Sequence, residues 1–255
     1  MQEPNVIAVI GAKGGCGATL LASNIAAGMS ESQTVCAMDL DFGRGDLNGM
    51  LDLEPERTLP QLLDVGVDAT LLRGSATHHA DGFSVLGQPR DMNRLVYPVL
   101  EEVTRLIHVA REAWEVLVLD VGSHATPALR AAVTQADHVL IVTTRDLLAF
   151  RNVIRLRALL VQQWGVPAKS IRVALNKLPT RAGGDDLAEL AHLEVTARVR
   201  WDEKSAELAM AIGRAVRVVA PRSVLAQDLD GLWRNIAGVE PLTQRWHLPW
   251  IGDPQ

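Results

Sequence analysis

The sequence predicts an α/β fold: a mostly parallel, twisted sheet with helices on both faces. Three observations predict it. Short apolar runs recur along the chain, at 6–10, 34–38, 83–86, 116–119, 139–142, 171–175 and 193–199, and several are rich in β-branched residues. Segments with apolar residues at helical spacing alternate with them. Polar residues suited to a ligand stand directly after several runs: Asp39 and Asp41, Asp120, and Asn176. Strand–helix alternation implies right-handed crossovers and a sheet covered on both sides. Such sheets bind ligands beyond the carboxyl ends of their strands.

In order, 6–10 reads as a buried strand and 19–30 as a helix ending near Gly28. Residues 34–38 are a second strand, followed by a glycine-containing loop over 42–57. Thr58 caps a short helix to Val65, with Pro60 in its first turn. Residues 66–82 suggest a helix from Ala69 to Leu72 and then an exposed loop. Residues 83–86 form a short strand. Helical spacing of Leu95, Val99, Val103, Leu106 and Ile107 predicts a helix over 94–112. Strand 116–119, helix 127–135, strand 139–142 and an amphipathic helix over 147–163 follow. After strand 171–175 come a loop at 179–184, a short helix at 185–192 and a last strand at 193–199. Helices near 203–213 and 222–236 complete the fold. The expected organisation is one domain, residues 1–240, with a tail at 241–255.

Composition narrows the function. The chain has 255 residues, 48% of them hydrophobic, and a net charge of −5. That balance disfavours a protein built to coat nucleic acid. Lys13, Lys169, Lys177 and Lys204 are the only lysines, so a lysine inside a glycine loop is notable. Two cysteines, Cys16 and Cys36, suggest no disulfide framework and fit a reduced, cytoplasmic setting. No signal peptide and no membrane-spanning run is expected.

The stretch Ala12-Lys13-Gly14-Gly15-Cys16-Gly17-Ala18-Thr19 lies between the first strand and the first helix. Its glycines let backbone N–H groups approach an anion, and the helix turns its positive end to the same place. The expected nucleotide-binding set is Lys13, Gly14, Gly15, Cys16, Gly17, Ala18 and Thr19, with Asn176 at a base edge. Thr19, Asp39 and Asp120 are the expected Mg²⁺ ligands, Asp120 standing where a Walker B acid would. Asp41 would position Mg²⁺ or the attacking water, and Lys13 and Asp41 are the candidate catalytic pair. The P-loop pattern G-x-x-x-x-G-K-[ST] wants lysine where Ala18 stands. A dinucleotide site fails because Leu20 stands where Gly or Ala is needed. A plain glycine turn with solvated acids explains the pieces singly, not their order.

Lys-Gly-Gly-x-Gly-x-Thr with its early lysine resembles the deviant Walker A box of the MinD/ParA group of ATPases. Asp39-Leu40-Asp41-Phe42-Gly43, Leu119-Asp120 and Leu175-Asn176 are similar too. Within the group, the CpaE/TadZ branch of the tight-adherence (Flp) pilus system looks closest. It shares Met38 to Asp46, Leu51-Asp52-Leu53-Glu54-Pro55 and Leu86-Gly87-Gln88-Pro89-Arg90-Asp91. The resemblance implies a P-loop fold, ATP and Mg²⁺, and a homodimer across nucleotide in which Lys13 reaches the other subunit's phosphates. It implies pilus or secretion assembly partners and a place at the pole or inner-membrane face. The receiver-like domain common in that branch is not expected here.

A lysine–phosphate contact is worth about 1.5–3 kcal/mol, roughly tenfold to a hundredfold in affinity. Nucleotide binding can survive Ala18, but hydrolysis should suffer more. The expected function is therefore an ATP-dependent dimerising switch that localises or assembles a pilus or secretion apparatus, at most a slow ATPase. The alternatives are an active partition or site-determining ATPase on DNA or membrane, and a nucleotide-free scaffold. Arg151, Arg155, Arg157, Arg181, Arg214, Arg217 and Arg222 invite a DNA reading, but a solvated surface is preferred. His78-His79 lacks partners with metal-ligand spacing. Trp201 is a candidate base contact. The tail around Trp246 and Trp250 suits docking onto the domain, a partner, or a membrane, though Pro249 and Gly252 interrupt any membrane helix.

Overall fold

The computed structural model describes residues 5–91, 97–180 and 195–238. Strand β1 (Asn5–Gly11) leads through the glycine loop into helix α1 (Ala18–Met29). Strand β2 (Val35–Asp39) is followed by the short α2 (Leu47–Met50), α3 (Leu59–Val65) and α4 (Ala69–Ser75). Then come β3 (Thr77–His78), β4 (Ser84–Leu86), α5 (Leu100–Ala113), β5 (Val116–Asp120) and α6 (Pro127–Gln135). Strand β6 (His138–Thr144) precedes α7 (Leu147–Ala158), which runs on into a π-helical turn, Leu159–Gln163. Strands β7 (Ile171–Leu178) and β8 (Ala197–Arg200) and helices α8 (Glu203–Ile212), α9 (Val216–Val219) and α10 (Val224–Ile236) complete the described fold.

Among the described residues the sheet order is β3-β4-β2-β5-β1-β6-β7-β8, and only the β3–β4 pairing is antiparallel. The α/β expectation is therefore met. Period-two alternation splits the buried strands between two cores. Val6, Ala8 and Ile10 face one layer with α5 and α6, while Ile7 and Val9 face the other with α1 and α10. Helix α1 packs so closely on α10 that a Cβ on Gly28 would lie 2.5 Å from Trp233 Nε1. Because β1 sits between β5 and β6, the loop after it opens at the point where the strand order turns, the usual ligand crevice.

Several elements differ from expectation. The 42–57 loop contains α2, because Asp39 Oδ2 accepts a 3.0 Å hydrogen bond from Leu47 N and anchors its first turn. Helix α4 reaches Ser75, with Asp68 accepting from Leu71 N at its start. The segment after it is no exposed loop: β3 pairs with β4, and His79 is buried. Helix α5 begins at Leu100 rather than Arg94. Pro98 disfavours helical geometry in the residue before it, and Glu102 caps the Val99 N–H at 2.9 Å. The expected helix at 185–192 and the 241–255 tail lie outside the described residues.

Candidate functional site

The glycine loop is stitched down at its base and open at its tip. Gly11 N donates to Gly122 O at 2.9 Å and Ala12 N to Val142 O at 2.8 Å, joining the loop to both neighbouring strands. Gly15 and Gly17 have φ of 75° and 91°, left-handed values that favour glycine. A Cβ on Gly14 or Gly15 would meet nothing within 4 Å. Helix α1 starts with no side-chain cap and no acid in its first turn, so its free N–H groups and positive end face the crevice. Asn176 is wholly buried, and its Nδ2 donates to Cys16 O at 2.9 Å. It pins the loop, while its Oδ1 has no partner among the described residues. Cys16 is packed inward, and burial raises its thiol pKa.

Lys13 lies at the rim, where Nζ meets Asp146 Oδ2 at 2.6 Å. Asp146 also accepts from Thr144 Oγ1 at 2.7 Å and caps α7 through Ala149 N at 2.9 Å. The hydrogen bond from Lys13 holds its carboxyl down at about 2. Ala18 is 9% exposed and brings no charge to the crevice. Sequence reasoning missed Asp146. Its N-cap role was legible before the apolar periodicity of α7, but a partner 133 residues away was not.

The three acids occupy different positions. Asp120 ends β5 at the crevice and is 3% exposed. Thr19 hydrogen-bonds its carboxylate, yet Oδ1 remains buried and unpartnered among the described residues. Burial pushes its pKa up to about 6, Asp41 adds to the rise, and the Thr19 hydroxyl and Gly122 N–H oppose it. Asp41 lines the crevice, and its Oδ1 accepts from Gly43 N at 3.3 Å and Arg44 N at 3.1 Å. Asp39 has no exposure, and its Oδ1 and Oδ2 accept from Asp41 N at 3.2 Å and Leu47 N at 3.0 Å. Burial, and then Asp120, raise its pKa well above the usual range. The structure brings Thr19, Asp41 and Asp120 to the crevice; Asp39 lies behind it as an anchor for the following loop.

The crevice has a volume of about 470 Å³. Trp201, a candidate from the sequence, lines it too, as do Arg44, Gly122 and Lys177, which the sequence did not single out. Among the described residues, no group of three or more His, Cys, Asp or Glu side chains forms a metal cage. A divalent cation here would need oxygens from a bound anion, as Mg²⁺ usually does in phosphate sites. The residues present fit that arrangement: an open glycine cradle, an uncapped helix start, and an unpartnered oxygen on Asp120 beside the Thr19 hydroxyl.

The remaining signals resolve simply. His79 Nε2 lies 2.8 Å from Gly213 O and its Nδ1 accepts from Asp81 N at 3.1 Å, so the ring ties the β3–β4 hairpin to the α8–α9 turn. Arg214 pairs with Asp81 and Arg217 with Glu31, both at 2.5 Å. Arg151, Arg155 and Arg157 are exposed along α7. Among the described residues, no helix is long and apolar enough to cross a membrane.

No family model matches the chain. It is 26% identical over 157 residues to the septum site-determining protein MinD of Synechocystis, covering 61% of this chain and 59% of that protein. It is 24% identical to MinD of Thermotoga maritima, covering 92% of this chain and 88% of that protein. The chain thus spans under two thirds of one of these relatives and most of the other. A ParA family ATPase from Chlorobium tepidum superposes with a TM-score of 0.82 at 24% identity, covering 91% of this chain and 98% of that one. MinD of Pyrococcus horikoshii, solved with Mg-ADP, superposes with a TM-score of 0.78 at 16% identity, covering 91% and 96%. The chain has the P-loop fold of the MinD/ParA ATPases and a detectable sequence likeness to MinD.

Proposed function

We propose that this chain is a nucleotide-dependent switch of the MinD/ParA kind, with slow ATP turnover. The observation that carries this reading is the crevice itself. It joins an open glycine loop and an uncapped helix start to Thr19 and an Asp120 oxygen without a partner among the described residues. Backbone N–H groups of Gly14 to Thr19 would hold the phosphate chain, while Asn176, expected at a base edge, is buried behind the loop and supports it through Cys16 O. Thr19 and Asp120 would hold Mg²⁺, which when bound neutralises phosphate charge and fixes the oxygens. Asp41, at the crevice wall, is placed to orient a water. Lys13 would leave Asp146 for the phosphates of a second subunit, so nucleotide and homodimerisation are linked. Exposed Leu147 and Leu148 beside that ion pair would be covered in the same step.

Turnover is slow in this reading because Ala18 puts no lysine directly before Thr19 to meet charge that builds up during transfer. The MinD and ParA relatives favour a site-determining or partition role over pilus assembly as the biological setting. The pilus reading keeps one specific support, the Ala18 loop together with Leu86 to Asp91.

The test measures particle mass and nucleotide release for wild type and Lys13→Ala with Mg²⁺ and ATP or ADP. The expected result is an ATP-dependent dimer in wild type, nucleotide binding without dimer in Lys13→Ala, and little product. Rapid turnover stimulated by DNA or lipid would favour an active partition ATPase. A wild type that binds neither nucleotide would leave only the scaffold reading. Loss of surface pili on deleting the gene, with chromosome segregation and septum placement intact, would favour the pilus setting.

A further inference from the structure

The crevice contains a second lysine that the nucleotide reading above does not use. Lys177 follows Asn176 near the end of β7 and has φ of 57°, one of two non-glycine residues with positive φ among the described residues. The β7–β8 register shifts between Leu175 and Leu178, which marks a bulge at this point. Bulges break the ladder locally and re-aim a side chain. A left-handed lysine is disfavoured and persists only where the surroundings over-determine it. Here the result is specific. Asn176 turns inward to pin the loop, and Lys177 turns out over it.

The Lys177 ε-carbon lies 4.0 Å from where a Cβ on Gly17 would stand, so its aliphatic stem runs along the loop just before Ala18. Its Nζ rests 5.0 Å from the centre of the Trp201 ring, which also lines the crevice. Among the described residues it meets no carboxylate, whereas Lys13 is held by Asp146. Within one subunit the loop has lost the lysine its pattern calls for, and another lysine reaches the same loop from the neighbouring strand.

We propose that Lys177 supplies, from β7, the intrasubunit positive charge on the bound phosphate chain that Ala18 does not. Trp201 holds the ammonium over the crevice until an anion arrives, since a cation on an aromatic face is stabilised without being neutralised. This rests on the nucleotide reading, and it accounts for binding through a loop that has alanine where its pattern calls for lysine.

The test is calorimetric titration of the full chain with AMP, ADP and ATP in the presence of Mg²⁺, for wild type, Lys177→Arg and Lys177→Gly. Glycine suits the left-handed backbone, so Lys177→Gly should keep or raise the melting temperature while removing the charge. Its affinity should fall by roughly tenfold or more for ADP and ATP and by much less for AMP, and Lys177→Arg should retain most of it. Adding Ala18→Lys to Lys177→Gly should restore ADP and ATP affinity. Equal losses for all three nucleotides would make Lys177 a base contact and overturn the proposal. So would unchanged affinity in Lys177→Gly while wild type binds. A wild type that binds none of the three would overturn the nucleotide reading itself and this inference with it.

Discussion

Asp39 and Asp120 end adjacent strands and face each other in register. Both are buried, and burial raises both pKa values. Yet both Asp39 oxygens accept backbone N–H groups, while Asp120 keeps one oxygen without a partner among the described residues. One acid has both oxygens taken up by the fold, and the other does not. The lesson is that a carboxylate at a strand end is not a site by position alone. What decides is whether the following loop turns back to satisfy it. After β2 the chain does so, and a Cβ on Gly45 would lie 2.5 Å from the Asp39 carboxyl carbon. After β5 the Gly122 N–H turns back to the Asp120 carboxyl, but Oδ1 stays without a partner among the described residues.

The largest effect should come from Asp120→Asn. Mg²⁺-dependent nucleotide affinity should fall about tenfold to a hundredfold, from losing roughly 1.5–3 kcal/mol of charged contact, as read by titration with and without Mg²⁺. Binding without Mg²⁺ should change little. The same substitution should leave the ligand-free protein at least as stable above pH 6, because it removes a buried charge.

Asp39→Asn should reverse the pattern. An amide presents only one acceptor to two backbone donors, so denaturant unfolding should show a loss of about 1–3 kcal/mol. Mg²⁺ affinity should move only a few-fold. Asp39→Asn weakening Mg²⁺ binding as much as Asp120→Asn would erase the distinction. Gly45→Ala should imitate the stability loss, since the added methyl forces the Asp39 carboxylate to shift.

The pH dependence follows from the sign of the shift. A carboxyl whose folded pKa is raised stabilises the fold when protonated. That stability is present below the unfolded value near 4 and is lost as pH rises through about 6. The ligand-free stability advantage of Asp120→Asn should therefore shrink as pH falls below about 6. Over the same window Mg²⁺-dependent binding by wild type should weaken, because the proton competes for Asp120. A smaller effect is expected at Lys13–Asp146, whose groups are both 38% exposed. Asp146→Asn should release Lys13, change stability little in a melting curve, and favour the ATP-dependent dimer.

The α/β architecture was legible because continuous apolar strands and amphipathic helices leave strong patterns. So was the meeting of the glycine loop, Thr19 and Asp120 at one crevice, which follows from their places after β1 and β5. The start of α5 was missed because the apolar repeat runs through Leu95 and Val99 while Pro98 breaks the helix. The buried hairpin at His79 was missed because its partner, Gly213, is 134 residues away. Asp39 and Asp120 look alike in sequence because each follows an apolar strand. Their difference is set by which backbone N–H groups come back to them. Lys177 was visible as a lysine after Asn176, but the bulge that aims it at the loop arises from pairing with β8.

The most direct test is calorimetric titration of ADP into wild type, Asp39→Asn and Asp120→Asn, with and without Mg²⁺. The expected result is one saturable site in wild type and Asp39→Asn that Mg²⁺ tightens, and a site in Asp120→Asn that Mg²⁺ no longer affects. Absence of binding in wild type, or a Mg²⁺ effect that survives Asp120→Asn, would contradict the account.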